Sequence, residues 1–227
     1  MALNRVSRVD DRVKVRNVLL SVSDKTGLAA LVEGLIAVNP EIRFYSTGGT
    51  YAHLASLLGD RAPVHLKAVS DYTGQPEMQG GLVKTLDFKI YMGLLSETYN
   101  DAHRSDLKRT ACIEFDLTVV NLYPFQDTVA QPGVTLEDAR AHIDIGGPCM
   151  LRASAKNFLR VASVCDPADY AGLLDELRKN GATTGLTSRL TFAKKSFAHT
   201  AAYDTAIAAY LLGQTSGPEG LYQWGGR

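Results

Sequence analysis

Val18-Leu19-Leu20-Ser21-Val22 runs straight into Ser23-Asp24-Lys25-Thr26-Gly27, and from Leu28 the apolar residues Leu28, Leu31, Leu35 and Ile36 return at helical spacing. The stretch reads as strand, polar loop, helix. Ile42-Arg43-Phe44-Tyr45 then leads into Ser46-Thr47-Gly48-Gly49-Thr50 and a second helical stretch through Leu54, Leu57 and Leu58, so the same unit occurs twice. Strand-like segments recur at Val64 to Val69, Leu117 to Leu122 and Arg160 to Cys165, with helical segments between or after most of them. Alternating strands and helices predict an α/β fold with a mostly parallel sheet flanked by helices.

Outside these units the chain carries further signals. Ser70 to Leu95, with Gly74, Pro76, Gly80, Gly81 and Gly93, reads as a long loop merging into a short helix. Thr135-Leu136-Glu137-Asp138 has capping-box character, and Asp166-Pro167 is suited to start a helix. From Leu186 the apolar positions Leu190, Ala193, Phe197 and Ala201 continue to about Leu212, which predicts one long helix packed on the α/β body. The expected organisation is a basic N-terminal extension over 1–15, the α/β domain over 16–185, a C-terminal helical appendage over 186–213 and a loose tail over 214–227.

Composition sets the bounds. The 227 residues amount to about 1.5 domains at roughly 150 residues each. Hydrophobic residues are 45% and charged residues 21%, which excludes a disordered chain. Lys+Arg and Asp+Glu are both 24, so no global field attracts nucleic acid or a membrane surface, and charge must act locally. Cys112, Cys149 and Cys165 lack CxxC spacing and read as free thiols. The five histidines, His53, His65, His103, His142 and His199, show no metal-ligand spacing, so no metal is expected. Met1 to Asn17 has no apolar core for a secretory signal and no run is long enough to span a membrane, so the expected compartment is cytoplasmic.

Two groups of residues carry candidate chemistry. Both polar loops follow strands, and in an open parallel sheet ligands bind beyond the strands' carboxyl ends. Ser21, Ser23, Lys25, Thr47, Gly48, Gly49 and Thr50 bring hydroxyls, a cation, close backbone approach and a helix amino end, the ingredients of a small phosphate site. Neither loop is a Walker A or GxGxxG sequence, and ordinary capping and turn chemistry stays open beside the phosphate reading. The second group is Lys84-Thr85, Asn121-Leu122-Tyr123-Pro124-Phe125, Ile143-Asp144-Ile145-Gly146-Gly147 and Lys156-Asn157, rich in proton donors. Lys156 falls nine to ten residues past the paired glycines, about two and a half helical turns on.

Taken in order, these segments, with Thr73-Gly74, Pro76-Glu77-Met78, Gly80-Gly81-Leu82-Val83 and Phe197-Ala198-His199-Thr200, resemble the IMP cyclohydrolase domain of the bifunctional AICAR transformylase/IMP cyclohydrolase. The resemblance runs from about residue 16 to about residue 210, without the family's second domain. It implies a methylglyoxal-synthase-like fold and dehydrative closure of formyl-AICAR (FAICAR) to IMP, with no metal or organic cofactor. By similarity, Lys84, Tyr123, Asp144 and Lys156 would be catalytic. Lys156 and Asp144 would handle protons, while Lys84 and Tyr123 would stabilise oxyanion charge. The seven loop residues would hold the 5′-phosphate, and Thr85, Asn121, Ile145 and Gly146 would contact the heterocycle.

The resemblance also leaves room for a separate AICAR transformylase partner and a homodimer. Where the family reads Gly-Gly-Arg-Val-Lys-Thr-Leu-His-Pro, this chain has Leu82 for the arginine and Asp87-Phe88 for His-Pro, and Lys89 is the nearby cation expected to compensate. These departures motivate the alternative of a non-catalytic purine-nucleotide-binding module. A lyase acting on a triose phosphate is a third reading, poorly supported by residues 121–125 and 143–147.

Overall fold

The computed structural model describes residues 5–75, 84–214, 221–222 and 225. Among them, β2 (Asn17–Val22), β3 (Arg43–Ser46), β4 (Leu66–Ala68), β5 (Leu117–Asn121) and β6 (Ala162–Val164) form a five-stranded sheet in the order β4-β3-β2-β5-β6. Every pairing within it is parallel. Parallel strands covered on both faces bury continuous apolar runs, and β5 is buried at all five positions.

Side-chain alternation sends Leu20, Phe44 and Val119 to one face, under α1 (Leu28–Val38), α2 (Gly48–Leu58) and α10 (Tyr170–Lys179). Leu19, Tyr45 and Val120 point to the other face, under α4 (Val69–Thr73), α5 (Phe88–Leu95) and α9 (Gly146–Lys156). The long helix α11 (Leu186–Leu212) places Phe192 in the first layer and Tyr203 in the second. It packs along β6 and α9, at the edge of the sheet.

The sequence expectations hold for the parallel sheet and the terminal helix, with local corrections. Val64 and His65 belong to a short helix, α3 (Ala62–His65), and the strand begins only at Leu66. The buried face of α11 is less apolar than its spacing suggests: Arg189, Ser196 and Thr200 are buried while Phe197 and Ala201 are exposed. The reason is a polar seam. Ser196 Oγ lies 2.9 Å from Ser163 Oγ of β6, which accepts from Ser154 Oγ at 2.8 Å, and Thr118 Oγ1 of β5 donates to Ser154 at 3.0 Å. Each buried hydroxyl has a partner, so the seam satisfies the polar groups it buries.

Between α4 and α5 the family-like segment at 76–83, Leu82 included, lies outside the described residues, as does most of the tail. The segment before β2 is stitched into the body. Arg12–Lys14 forms strand β1 and pairs antiparallel with β7 (Thr183–Gly185). The fully buried Arg189 guanidinium donates to the carbonyls of Asp10, Asp11, Phe158, Leu159 and Thr184. The remaining helices are α6 (Asp101–Arg109), α7 (Phe125–Val129) and α8 (Leu136–Ala141). Thr135 caps α8 in a reciprocal box with Asp138, and Asp166 accepts from the Ala168 N–H, both as the sequence suggests. The three cysteines are free thiols, with Cys165 buried and the other two partly exposed.

Candidate functional site

Strand order reverses between β2 and β5: β3 lies on one side of β2, while β5, the next strand across, begins more than seventy residues later in the chain. The carboxyl ends of β2 and β5 therefore form the crevice where open α/β sheets place ligands. A cavity of about 420 Å³ opens there, within the usual size for small-molecule sites. Its walls include Ser21, Ser23, Lys25, Thr47, Gly48, Gly49 and Thr50. Lys84, Thr85, Asn121, Tyr123, Asp144, Ile145 and Gly146 also line it. The fold thus gathers residues spread over more than a hundred positions of sequence.

The first loop is held from behind. Asn121 Oδ1 accepts the N–H groups of Ser23 and Asp24 at 2.7 and 2.9 Å, and its Nδ2 donates to Asp24 O at 2.8 Å. Asn121 is therefore largely committed to shaping the loop. Thr50 Oγ1 likewise donates to Val22 O and accepts from Val22 N–H, both at 3.0 Å. Its hydroxyl therefore holds the loop in shape, while Thr50 itself stays in the cavity wall. What α2 offers is its amino end: the Thr47 side chain makes no capping hydrogen bond to it, and the N–H groups of its first turn have no acceptor within the helix. Gly48 sits there at φ +55°, and a Cβ on it would stand 3.2 Å from Lys84 Nζ. A positive dipole end and an ammonium thus converge on one spot, which favours an anion. Lys25 Nζ, 3.4 Å from Ser23 O, adds charge on the adjoining loop.

Another part of the cavity carries proton chemistry. Asp144 lies in the turn between α8 and α9, where its Oδ1 accepts the Gly147 N–H at 2.9 Å. Gly147 lets Asp144 and Leu122 pack close, because a Cβ there would push aside Asp144 Oδ2 and the Leu122 side chain. Burial pushes the Asp144 carboxyl above its ordinary pKa, against the lowering effect of the Gly147 and Gly146 N–H groups. Tyr123 and Ile145, each 56% exposed, present a phenol and an apolar side chain at the mouth. Thr85 is buried against Gly146.

Two expectations change. Lys156 does not line the cavity. It ends α9, exposed, about 15 Å along the helix axis from Gly146, and the next residue, Asn157, binds the carbonyls of Leu94 and Ser96. Lys89 is not a substitute cation for the site, since its Nζ donates to Tyr72 O at 3.3 Å and lies over the Tyr72 ring. Asp87 caps α5, accepting from the Lys89 N–H, so this carboxylate has a structural task. His142, Leu86 and Met150 line the cavity without having been singled out. His142 stands two residues before Asp144, a spacing that carries no metal-ligand signature. Among the described residues no group of three His, Cys, Asp or Glu side chains is placed to hold a metal ion, and no helix is long and apolar enough to cross a membrane.

Known proteins are similar to this chain in sequence and in fold. The family model of MGS-like domains matches residues 27–149, and that of the AICARFT/IMPCHase bienzyme matches residues 154–223. Proteins named bifunctional purine biosynthesis protein PurH are similar to the chain. Those of Trichormus variabilis and a Nostoc species are each 48% identical over 198 residues, 87% of this chain, and that of Nostoc punctiforme is 47% identical over 199 residues. The chain spans 38% of the length of these relatives. The crystal structure of ForH is similar with a TM-score of 0.77 and 31% identity, covering 89% of this chain and all of that one. On these grounds the chain belongs to the MGS-like domain family, and its C-terminal part, the long helix included, is similar to the AICARFT/IMPCHase bienzyme family.

Proposed function

We propose that this cavity closes formyl-AICAR to IMP with loss of water, as a step of purine biosynthesis. The observation that carries the reading is the union, in one cavity, of an anion-binding helix end beside Lys84 and a partly buried carboxyl beside Tyr123. The 5′-phosphate sits at the amino end of α2, with Lys84 and Lys25 balancing its charge. The heterocycle extends past Thr85 and Ile145 toward Tyr123 and Asp144.

Ring closure forms a bond between the carboxamide nitrogen and the formyl carbon. The nitrogen loses a proton, the formyl oxygen gains one, and that oxygen leaves as water after a second proton transfer. Asp144, whose raised pKa keeps a proton available at higher pH than an ordinary carboxyl, suits the delivery step. Tyr123 is an exposed phenol able to donate to the developing oxyanion. Support also comes from the similarity to the purine biosynthesis proteins and to the bienzyme family model. On this reading formyl transfer belongs to a transformylase domain or partner protein, and a homodimer is the expected assembly. One observation favours binding without turnover: Lys156, expected among the catalytic groups, lies outside the cavity.

The test is the ultraviolet change on mixing the protein with formyl-AICAR, run beside Asp144→Asn and Lys84→Ala. Turnover that Asp144→Asn abolishes, and Lys84→Ala weakens chiefly through KM, is the expected result. IMP binding without turnover in the wild-type chain would replace the enzyme with a nucleotide-binding module.

A further inference from the structure

Asp144 lies outside regular structure and is only partly exposed, so its backbone N–H needs an acceptor. The acceptor comes from 59 residues downstream: the N–H donates to the phenol oxygen of Tyr203, on α11, at 2.7 Å. Tyr203 is buried and meets the Phe125 ring edge-on at 6.2 Å. Phe125 meets Tyr210 in the same way at 5.9 Å, and the Tyr210 phenol donates to Thr135 O at 3.4 Å. Tyr203 and Tyr210 are about two turns apart on one face of α11. This face holds both segments that bring chemistry to the cavity, the loop of Tyr123 through Phe125 and the turn of Asp144 through its own amide.

We propose that Tyr203 is a positioning residue for Asp144: its phenol oxygen fixes the turn that carries the carboxyl, so that the C-terminal helix sets the geometry of the cavity. The catalytic meaning of this placement rests on the reading of the cavity as an active site. The carboxyl is then held twice, through its own backbone by Tyr203 and through Oδ1 by the Gly147 N–H. Tyr203→Phe keeps the ring and its contact with Phe125 but removes the oxygen. The Asp144 N–H, left without this acceptor, turns toward water and carries the carboxyl with it. The titratable groups around the carboxyl are His142 on its own turn, Lys25, Lys84 and Tyr123 of the cavity wall, and Tyr203 with its neighbour Asp204 on α11.

The experiment compares the wild-type chain, Tyr203→Phe and Tyr210→Phe by carbon NMR titration of the Asp144 carboxyl and by kinetics with formyl-AICAR. In Tyr203→Phe the carboxyl pKa moves down toward the ordinary range, and the alkaline limb of kcat, where Asp144 loses the proton it delivers, moves down with it. The rate kcat falls about tenfold while KM changes by less than about threefold. Tyr210→Phe, which also loses one phenol from α11, leaves the titration unmoved. A folded Tyr203→Phe with the wild-type Asp144 titration overturns the proposal. So does rapid amide exchange at Asp144 in the wild-type chain, a measurement that needs no variant. The titration uses no substrate, so a shifted carboxyl in a chain that never closes the ring refutes the active-site reading and leaves the positioning intact.

Discussion

Removing the side chain of Asn121 tests how the cavity is built. Asn121 is 9% exposed, accepts two backbone N–H groups of the first loop and donates to one carbonyl, over distances of 2.7 to 2.9 Å. A typical intramolecular hydrogen bond contributes about 1 kcal/mol net, so Asn121→Ala should cost about 3 kcal/mol. For a chain of this length that corresponds to a fall in Tm of about 6–12 °C. The loss is local as well as global, because Ser23 and Asp24 lose the group that sets their place at the end of β2. Urea unfolding measures the first effect, and isothermal titration with IMP the second, where a drop in affinity of at least about tenfold is expected. A variant that unfolds within about 1 kcal/mol of wild type and binds IMP normally would show that the loop holds its shape without Asn121, and the account of the cavity would fail.

Three further outcomes follow from the geometry. Gly48→Ala forces an alanine to φ +55°, at a cost of about 1–2 kcal/mol, and crowds Lys84 Nζ. Nucleotide affinity should fall in calorimetry, and an unchanged affinity would contradict this placement of Gly48. Asp144→Asn should raise Tm at neutral pH: an acid with a raised folded pKa binds protons that the unfolded chain has released, so its contribution to stability falls as pH rises. The difference between variant and wild type should close as pH drops below the ordinary carboxyl value of 3.8, and a gap independent of pH would contradict the assignment. Arg189→Leu removes the donors from five backbone carbonyls that join residues 10–11, 158–159 and 184. A loss of about 3 kcal/mol or more in chemical unfolding is expected, and a loss under about 1 kcal/mol would mean that water replaces the guanidinium without cost.

The loops after β2 and β3 were legible because their chemistry is local. A polar, glycine-containing segment between an apolar run and a helical pattern has few other readings, and the parallel sheet then places both loops at one edge. The second group was legible as candidates but not as a site. Lys84, Tyr123 and Asp144 come together in the fold, while Lys156, equally reactive as a residue type, is carried by α9 to its exposed far end. Helical spacing alone gave a distance along an axis and no direction relative to the cavity. Thr50 and Asn121 show the complementary limit: their side chains look like ligand groups in sequence, yet their hydrogen bonds go largely to the chain itself.

The buried seam of Ser154, Ser163 and Ser196 and the buried Arg189 follow the same logic. Serine and arginine are ordinarily read as surface residues, and only partners distant in sequence make their burial tolerable. The sequence by itself determined the alternation of strands and helices, the two polar loops at the strand ends and the terminal helix, because these depend on patterns that repeat within a few residues. The tertiary structure alone decided which polar groups face the cavity and which are spent on the fold. That choice is made by the hydrogen bonds and burial that distant segments impose on one another, as Tyr203 does on Asp144.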